Sequence, residues 1–264
     1  MNVNNNVYWI TGASSGIGKS LAIELSRQST KIILSSRNKI ALDEVKALCN
    51  NQEDIVVLPL DLEDFENLTS KVAEAITFFG KIDVLVNNGG ISQRSLVKDT
   101  NILVDKRLMD INYLGTVALT KAILPYFIQQ KKGHLVVTTS IVGKIGTPLR
   151  SSYAATKHAL HGFFDSLRAE VFNNNIKVTL VCPGFVTTNV SKNALTGNGS
   201  PQETMDAATA NGIDPNRFAK LMLKAIKKEK EEVYIAGAKE KLGVYMKRFY
   251  PKLLSKMIRK LSVT

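Results

Sequence analysis

Cysteine is almost missing from this chain. Cys49 and Cys182 are its only two in 264 residues, too few for a disulfide framework, and each sits among apolar neighbours that suit a small buried side chain. Histidine is scarce as well. Of the three, His158 and His161 share a helix face, His134 opens an apolar run and no carboxylate cluster joins them, so no metal site is expected. No window offers the roughly 18 uncharged apolar residues that span a bilayer, and no charged-then-apolar leader opens the chain. Those two absences set the expectation of a cytosolic protein. Solenoid repeats and domain linkers are absent too.

What remains is an ordinary folding composition. Hydrophobic residues make up 44% and the mean hydropathy is −0.02, enough for one large domain with a sizeable core. The net charge of +12 is unevenly placed. From Ala219 onward there are 13 Lys and Arg against 4 Glu, so the basic character belongs to the tail.

Taken in order, Val7 to Ile10 is a short apolar run that leads into TGASSGIG, Thr11 to Gly18. Ile17, Leu21, Ala22 and Leu25 then form the stripe of an amphipathic helix. Glycines joining a strand to a helix suit a dinucleotide phosphate: Gly12 for the tight turn, Gly16 for close approach to the backbone, and Gly18 for close helix–strand packing. Lys31 to Ser36 reads as a second strand, followed by Arg37 and a helix through Cys49. An acid at the end of that strand would favour the free ribose of NAD. Serine and a guanidinium stand there instead, which suits the extra phosphate of NADP.

Ile55 to Leu60 is a third strand, ending at Asp61 as a candidate adenine contact. After a helix over Phe65 to Phe79, Ile82 to Val86 delivers Asn87, Asn88, Gly89 and Gly90, either a cofactor passage or a plain turn. One long helix is expected from about Asn101 to Gln130, with Asn112 inside it. Asparagine is a poor residue in mid-helix, so its presence asks for a reason, and holding a water is one. His134 to Thr139 and Ile176 to Cys182 read as strands, the second closing on Pro183 and Gly184, and Glu232 to Ala236 as the last. Between them, residues 185–216 read as too polar and broken for core: a loop with a short helix, a substrate lid. Asp214 is placed to cap the helix that follows. Strand and helix alternating in this way specify a parallel sheet covered on both faces.

Tyr153 and Lys157 stand four apart in a helical pattern, so both leave one face. A free phenol has a pKa of about 10, and a neighbouring ammonium favours the phenolate, giving a proton donor that works nearer neutral pH. Ser140, closing the strand before it, points to the same spot. A tyrosine and a lysine at this spacing also occur by chance on many helices.

With TGASSGIG, Asn87-Asn88-Gly89, Asn112, Ser140, Tyr153-x-x-x-Lys157 and Pro183-Gly184 in one order, the chain resembles the short-chain dehydrogenase/reductase family over roughly Val7 to Ala236. A narrower resemblance, through PLRSSYAATKHALHGFFDSLRAEV and PGFVTTNVSKNALTGNGS, is to the member 7 subgroup and especially its B form. Animal members of that subgroup carry an amino-terminal membrane anchor, whereas this sequence starts almost at the first strand, so their location is not carried over. Thr139 replaces a frequent serine before Ser140, and Gly90 stands where alanine is usual after the two asparagines.

The resemblance implies a single-domain Rossmann fold, a doubly wound sheet of seven strands, a nicotinamide cofactor, and hydride transfer between a carbonyl and an alcohol. It makes Tyr153 the general acid or base and Lys157 the residue that lowers its pKa and bonds the nicotinamide ribose. Ser140 would position the substrate oxygen, and Asn112 would hold a water linked to Lys157. At the cofactor it places Gly12, Ser14, Ser15, Gly16, Ile17, Gly18, Arg37, Asp61, Leu62, Asn88, Gly89, Tyr153, Lys157, Pro183, Gly184, Val186 and Thr188. NADP(H) is the expected cofactor, with NAD(H) as the second choice. The expected substrate is a small hydrophobic or lipid-like carbonyl or alcohol, motivated by Val186, Val190, Ala194, Leu195 and Met205 in the lid. The alternatives are a 3-oxoacyl-carrier-protein reductase and a non-catalytic NADP-binding sensor or scaffold. Homodimers or homotetramers built through the helices carrying Asn112 and Tyr153 are expected from the family.

Residues 1–236 are thus read as the catalytic domain and 237–264 as a basic extension. In that extension Leu253, Leu254, Met257, Ile258 and Leu261 fall on one side of a helix, with Lys252, Lys256, Arg259 and Lys260 on the other. Such a helix suits peripheral contact with an anionic membrane, or packing on the domain or a second subunit. Nucleic acid is not expected, since no aromatic-interleaved basic face or known binding motif appears.

Overall fold

Strand order in the computed structural model, which describes residues 3–259, is β3-β2-β1-β4-β5-β6-β7, every neighbouring pair parallel. The strands are β1 (Val7–Thr11), β2 (Lys31–Ser35), β3 (Ile55–Val57), β4 (Val84–Asn87), β5 (Gly133–Thr138), β6 (Ile176–Pro183) and β7 (Glu232–Ile235). Parallel strands lie buried on both faces, which is why they read as unbroken apolar runs rather than alternating ones. β1 and β4 are buried from end to end. Trp9 in the centre of β1 satisfies its indole N–H on Ser35 Oγ at 2.8 Å, so a large polar-tipped side chain is buried with its donor satisfied.

Helices cover both faces. On one, α1 (Gly16–Ser26), α2 (Lys39–Ala47) and α8 (Pro215–Lys227) bury Leu21, Leu25, Leu42, Phe218 and Met222 against alternate residues of β1 and β2. On the other, α3 (Leu68–Phe79), α5 (Thr116–Gln129) and α6 (Ser151–Glu170) bury Val72, Ile123, Phe127, Leu160 and Phe164. A fully buried side chain of this size contributes roughly 1.5–3 kcal/mol. Asp214 caps α8 by accepting the Arg217 N–H at 2.8 Å, with Pro215 in the first turn where its missing N–H costs nothing.

Two elements differ from the sequence expectation. The third strand stops at Val57 as regular strand instead of reaching Leu60, although Leu58 and Leu60 still donate to the Leu34 and Ser36 carbonyls at 2.9 and 3.1 Å. Pro59 between them falls on the open side of the edge strand, where a missing donor costs no ladder bond. The long helix is not one uniform rod. α4 (Ile102–Met109) passes through a π turn, Asp110–Gly115, before continuing as α5. Asn112 sits in that wide turn, fully buried. The stretch Ile102–Gln129 is 28 residues long and apolar enough in composition to cross a membrane, but Leu119, Ile123 and Phe127 along it are buried against the sheet.

The lid also differs. Read as too polar for core, residues 185–216 nevertheless bury Ser191, Ala194, Leu195, Asp206 and Thr209, with only the four-residue α7 (Ala207–Ala210) as regular helix before α8 begins. The basic extension forms α9 (Ala238–Phe249) and α10 (Pro251–Ile258). Leu254 and Ile258 pack with Ile141, Ile145 and Tyr234. Lys260 and Leu261, assigned to the same helix from sequence, lie outside the described residues.

Candidate active site

The order of the sheet reverses between β1 and β4, and in open parallel sheets a ligand cleft forms outside the carboxyl ends of the strands at that point. A cleft of ≈ 620 Å³ lies there. Gly12, next after β1, has φ +63°, and a Cβ on it would come within 2.8 Å of Gly89 Cα. The ends of β1 and β4 therefore approach as only glycine allows. α1 starts at Gly16 with no side-chain cap and no acid in its first turn. Its leading N–H groups and the positive end of its dipole are open to an anion.

Ser14, Ser15, Gly16 and Ile17 line this end of the cleft, and Arg37, Asp61 and Leu62 line another part of its wall. Arg37 is exposed and, among the described residues, no carboxylate pairs with it. A backbone cradle that a Cβ would fill, an uncapped helix start and a free guanidinium together fit a phosphate-bearing dinucleotide.

Ser140, Tyr153 and Lys157 line the same cleft, together with Pro183, Gly184, Val186 and Thr188. Ser140 follows β5 and accepts the Val142 N–H at 3.2 Å. Lys157, buried, donates from Nζ to the Thr138 carbonyl at 2.9 Å and stands 5.7 Å from the centre of the Tyr153 ring. Burial lowers its pKa to about 8. Burial also raises Tyr153 above the ordinary phenol value. The guanidiniums of Arg150 and Arg94 and the hydrogen bond with Ser140 pull it only part of the way back. The phenol therefore does not sit nearer neutral pH on account of Lys157, as the spacing suggested, because that ammonium is turned to a backbone carbonyl and desolvation dominates.

Asn112 does not line the cleft. Its Oδ1 accepts the Ile91 N–H at 2.8 Å, and its Nδ2 donates to the Ile91 carbonyl at 2.9 Å and to Thr156 Oγ1 at 3.2 Å. Thr156 in turn donates to the Tyr153 carbonyl at 2.8 Å. The side chain thus ties the loop after β4 to the helix of Tyr153. Gly18 lies behind the cleft, packed on the Gly12 carbonyl and Asn88 Nδ2. Asn88 and Gly89 line the cleft as expected, although the Asn88 amide donates to the Thr11 and Gly12 carbonyls and accepts from Thr138 Oγ1.

Three residues that position Tyr153 escaped the sequence reading. Gln93, fully buried, accepts the Ser152 N–H at 2.9 Å and the Tyr153 N–H at 3.3 Å through Oε1, capping α6 from a distant loop. Arg94 and Arg150, both buried, converge on Asp206 of the lid. The Arg94–Asp206 and Gln93–α6 contacts join residues tens of positions apart, so no local pattern announces them. Elsewhere His161 meets more than expected. Its Nδ1 stands 3.5 Å from Glu232 Oε2 and its Nε2 3.8 Å from Cys182 Sγ. Lys144 holds the same carboxylate at 2.8 Å and Tyr234 donates to it, so the Glu232 charge already has its counter-charge.

The short chain dehydrogenase model matches residues 6–199 of the sequence. The chain belongs to the short-chain dehydrogenase family. It is 42% identical over 264 residues to Dehydrogenase/reductase SDR family protein 7-like of Anopheles gambiae, covering 98% of this chain and 83% of that one. It is 41% identical over 263 residues to Dehydrogenase/reductase SDR family member 7B of Bos taurus, covering 97% and 81%. Among solved structures, a short chain dehydrogenase/reductase from Burkholderia phymatum in complex with NAD superposes with a TM-score of 0.84 at 20% identity, covering 96% of each chain. One from Burkholderia cenocepacia in complex with NADP gives 0.81 at 23%, covering 98% and 99%. The protein is therefore an oxidoreductase of the dehydrogenase/reductase class with the family's Rossmann-type fold.

Proposed function

We propose that this enzyme interconverts a carbonyl and a secondary alcohol on a small hydrophobic or lipid-like substrate, with NADP(H) as cofactor and Tyr153 as general acid and base. The observation that carries the reading is that Ser140, Tyr153 and Lys157 line one cleft with the glycine turn at the start of α1. A bound nicotinamide would supply or accept the hydride. The chain's own residues do the rest. Ser140 holds the substrate oxygen beside the phenol, Tyr153 gives that oxygen a proton in reduction and takes one in oxidation, and Lys157 keeps a positive charge beside the developing phenolate.

Ile91, Val190, Leu195 and Pro201 add apolar surface to the cleft, which favours a hydrophobic substrate. NADP is favoured over NAD because, among the described residues, no carboxylate pairs with Arg37 where β2 ends, and no acid takes the place that a free ribose would need. Self-association through the helices carrying Asn112 and Tyr153 is part of the same reading, since Leu114, Ile128 and Phe172 leave apolar surface exposed on them or next to them. The test is a panel of ketones and aldehydes followed by NADPH absorbance, with NADH in parallel. Absence of turnover across the panel, or undiminished turnover in Tyr153→Phe, would overturn the proposal.

A further inference from the structure

α9 and α10 use only part of their apolar surface to attach to the domain. Gly243 is buried against Ile145, Val244 and Met246 are partly covered, and Leu254 and Ile258 pack inward. A second stripe faces out. Leu242, Tyr245 and Phe249 stand at i, i+3 and i+7 of α9, and Leu253 and Met257 at i and i+4 of α10, so each set shares a helical face. All five are between 45% and 68% exposed, as is Tyr250 at the corner between the helices. Lone exposed apolar residues need no explanation, but six on two successive helices form a patch.

Cations frame that patch. Lys239, Lys241, Lys247, Arg248, Lys252, Lys256 and Arg259 lie on these helices or at their ends, all but Lys239 and Lys241 beyond the middle of α9. The one acid in residues 238–259 is Glu240. It is turned inward, where Oε1 accepts the Phe185 N–H at 2.7 Å and Oε2 accepts the Gly237 N–H at 2.5 Å. The outward charge of the two helices is therefore wholly positive.

We infer that the outer face of α9 and α10 is a docking surface for an anionic lipid bilayer. An aromatic and aliphatic stripe bordered by Lys and Arg matches the layering of a membrane interface, with apolar groups at the acyl boundary, tyrosines at the headgroups and cations toward acidic lipid. A second copy of the chain is a poor occupant of the same face, since an isologous contact would set one copy's wholly positive face against the other's. The surface stands apart from the carbonyl chemistry. The Glu240 contact nevertheless fixes α9 to Phe185, next in the chain to Gly184 in the cleft wall.

The full chain is sedimented with vesicles of phosphatidylcholine alone and of phosphatidylcholine mixed with phosphatidylserine. Binding is expected only to the mixed vesicles and is expected to weaken with salt as screening shortens. Each cation removed should weaken it roughly fivefold, about 1 kcal/mol. The variants K241E/R248E/K252E/K256E and L242S/Y245S/F249S should each abolish sedimentation while keeping the thermal unfolding midpoint, because every changed side chain is exposed. Phe249→Trp adds a reporter beside Trp9, the only native tryptophan and a fully buried one. The emission of the introduced indole should shift to the blue on mixed vesicles.

Failure to bind mixed vesicles at low salt overturns the inference, as does binding that survives both sets of substitutions. Sedimentation of Phe249→Trp with no movement of its emission also overturns it, since the stripe would then stay in water. If the serine variant instead dissociates an oligomer in the absence of vesicles, or the surface binds an acidic protein and not lipid, the face is a protein contact and the inference is wrong.

Discussion

Arg94 and Asp206 stand 112 residues apart in the chain and meet as a buried ion pair, Nε to Oδ2 at 2.8 Å, with Arg150 approaching the same carboxylate oxygen at 3.4 Å. The pair ties the lid to the loop after β4 and to the start of the helix that carries Tyr153. Asp206 is held below the usual carboxylate range: burial alone would raise it, and the hydrogen bonds from Arg94 and Gln202 with the charges of Arg94 and Arg150 more than offset that.

Removing Asp206 strands two guanidiniums away from water. Breaking a buried pair by deleting one partner costs about 3–5 kcal/mol, so Asp206→Ala should lower the thermal unfolding midpoint by several degrees. Asp206→Asn keeps the shape and is expected to spare more stability, yet to raise KM by loosening the lid. Denaturant unfolding and steady-state kinetics on the two variants check both parts.

Tyr153→Phe removes one hydroxyl and no packing. Loss of a positioned proton donor costs roughly 10²–10⁴ in rate, so turnover should fall within that range while dinucleotide binding, read by fluorescence titration, stays intact. For Lys157, a pKa of about 8 means that it is charged at neutral pH and neutral above. Carbonyl reduction should decline above about pH 8, and Lys157→Arg, which cannot lose its proton in that range, should remove that limb from whatever activity remains.

Arg37→Asp replaces a phosphate partner with a ribose partner. Hydrogen bonds to charged groups contribute about 1.5–3 kcal/mol, so NADPH affinity should drop about ten- to a hundredfold with NADH affinity unchanged or improved. Parallel Kd measurements for both dinucleotides decide the matter.

Acid should loosen the fold through Asp83 and Glu232. Burial alone would raise both, but Lys81, the Val7 N–H and Lys132 lower Asp83, and His161, Lys144 and Tyr234 lower Glu232 to about 2. Groups whose folded pKa is depressed add stability above their unfolded value, and it is lost as pH falls through the folded one. For Glu232 the window is therefore from about 4.5 down to about 2, and Asp83 acts in the same direction. His134, neutral in the core with its pKa lowered to about 4 by burial, acts in the same direction between about 6.5 and 4. Unfolding midpoints across this range should fall, and Asp83→Asn should flatten the slope.

Local signals were the legible ones. The glycine turn, the Tyr153–Lys157 spacing, the Asp214 cap and the alternation of strands with helices are encoded within a few residues of one another, and the structure places each where the pattern puts it. Pro59 was visible in the sequence too, but that it falls on the open side of an edge strand needed the sheet order. Gln93, Arg94 and Asp206 were not legible, because their partners are chosen by the sheet order rather than by spacing. The direction of the Tyr153 shift was not legible either: it follows from the burial of the phenol and from Lys157 turning to the Thr138 carbonyl at the end of β5.

The π turn at Asp110–Gly115 acts as a phase shifter in a single rod. One added residue rotates everything beyond it by about 100° relative to an unbroken α-helix. Val104 and Leu108 before the turn can thus face Leu195 of the lid and the Tyr153 ring, while Leu119, Ile123 and Phe127 after it face the sheet. A single-residue deletion there would leave composition and hydrophobicity almost untouched, yet it would force the chain to choose between a seated lid and a sealed core.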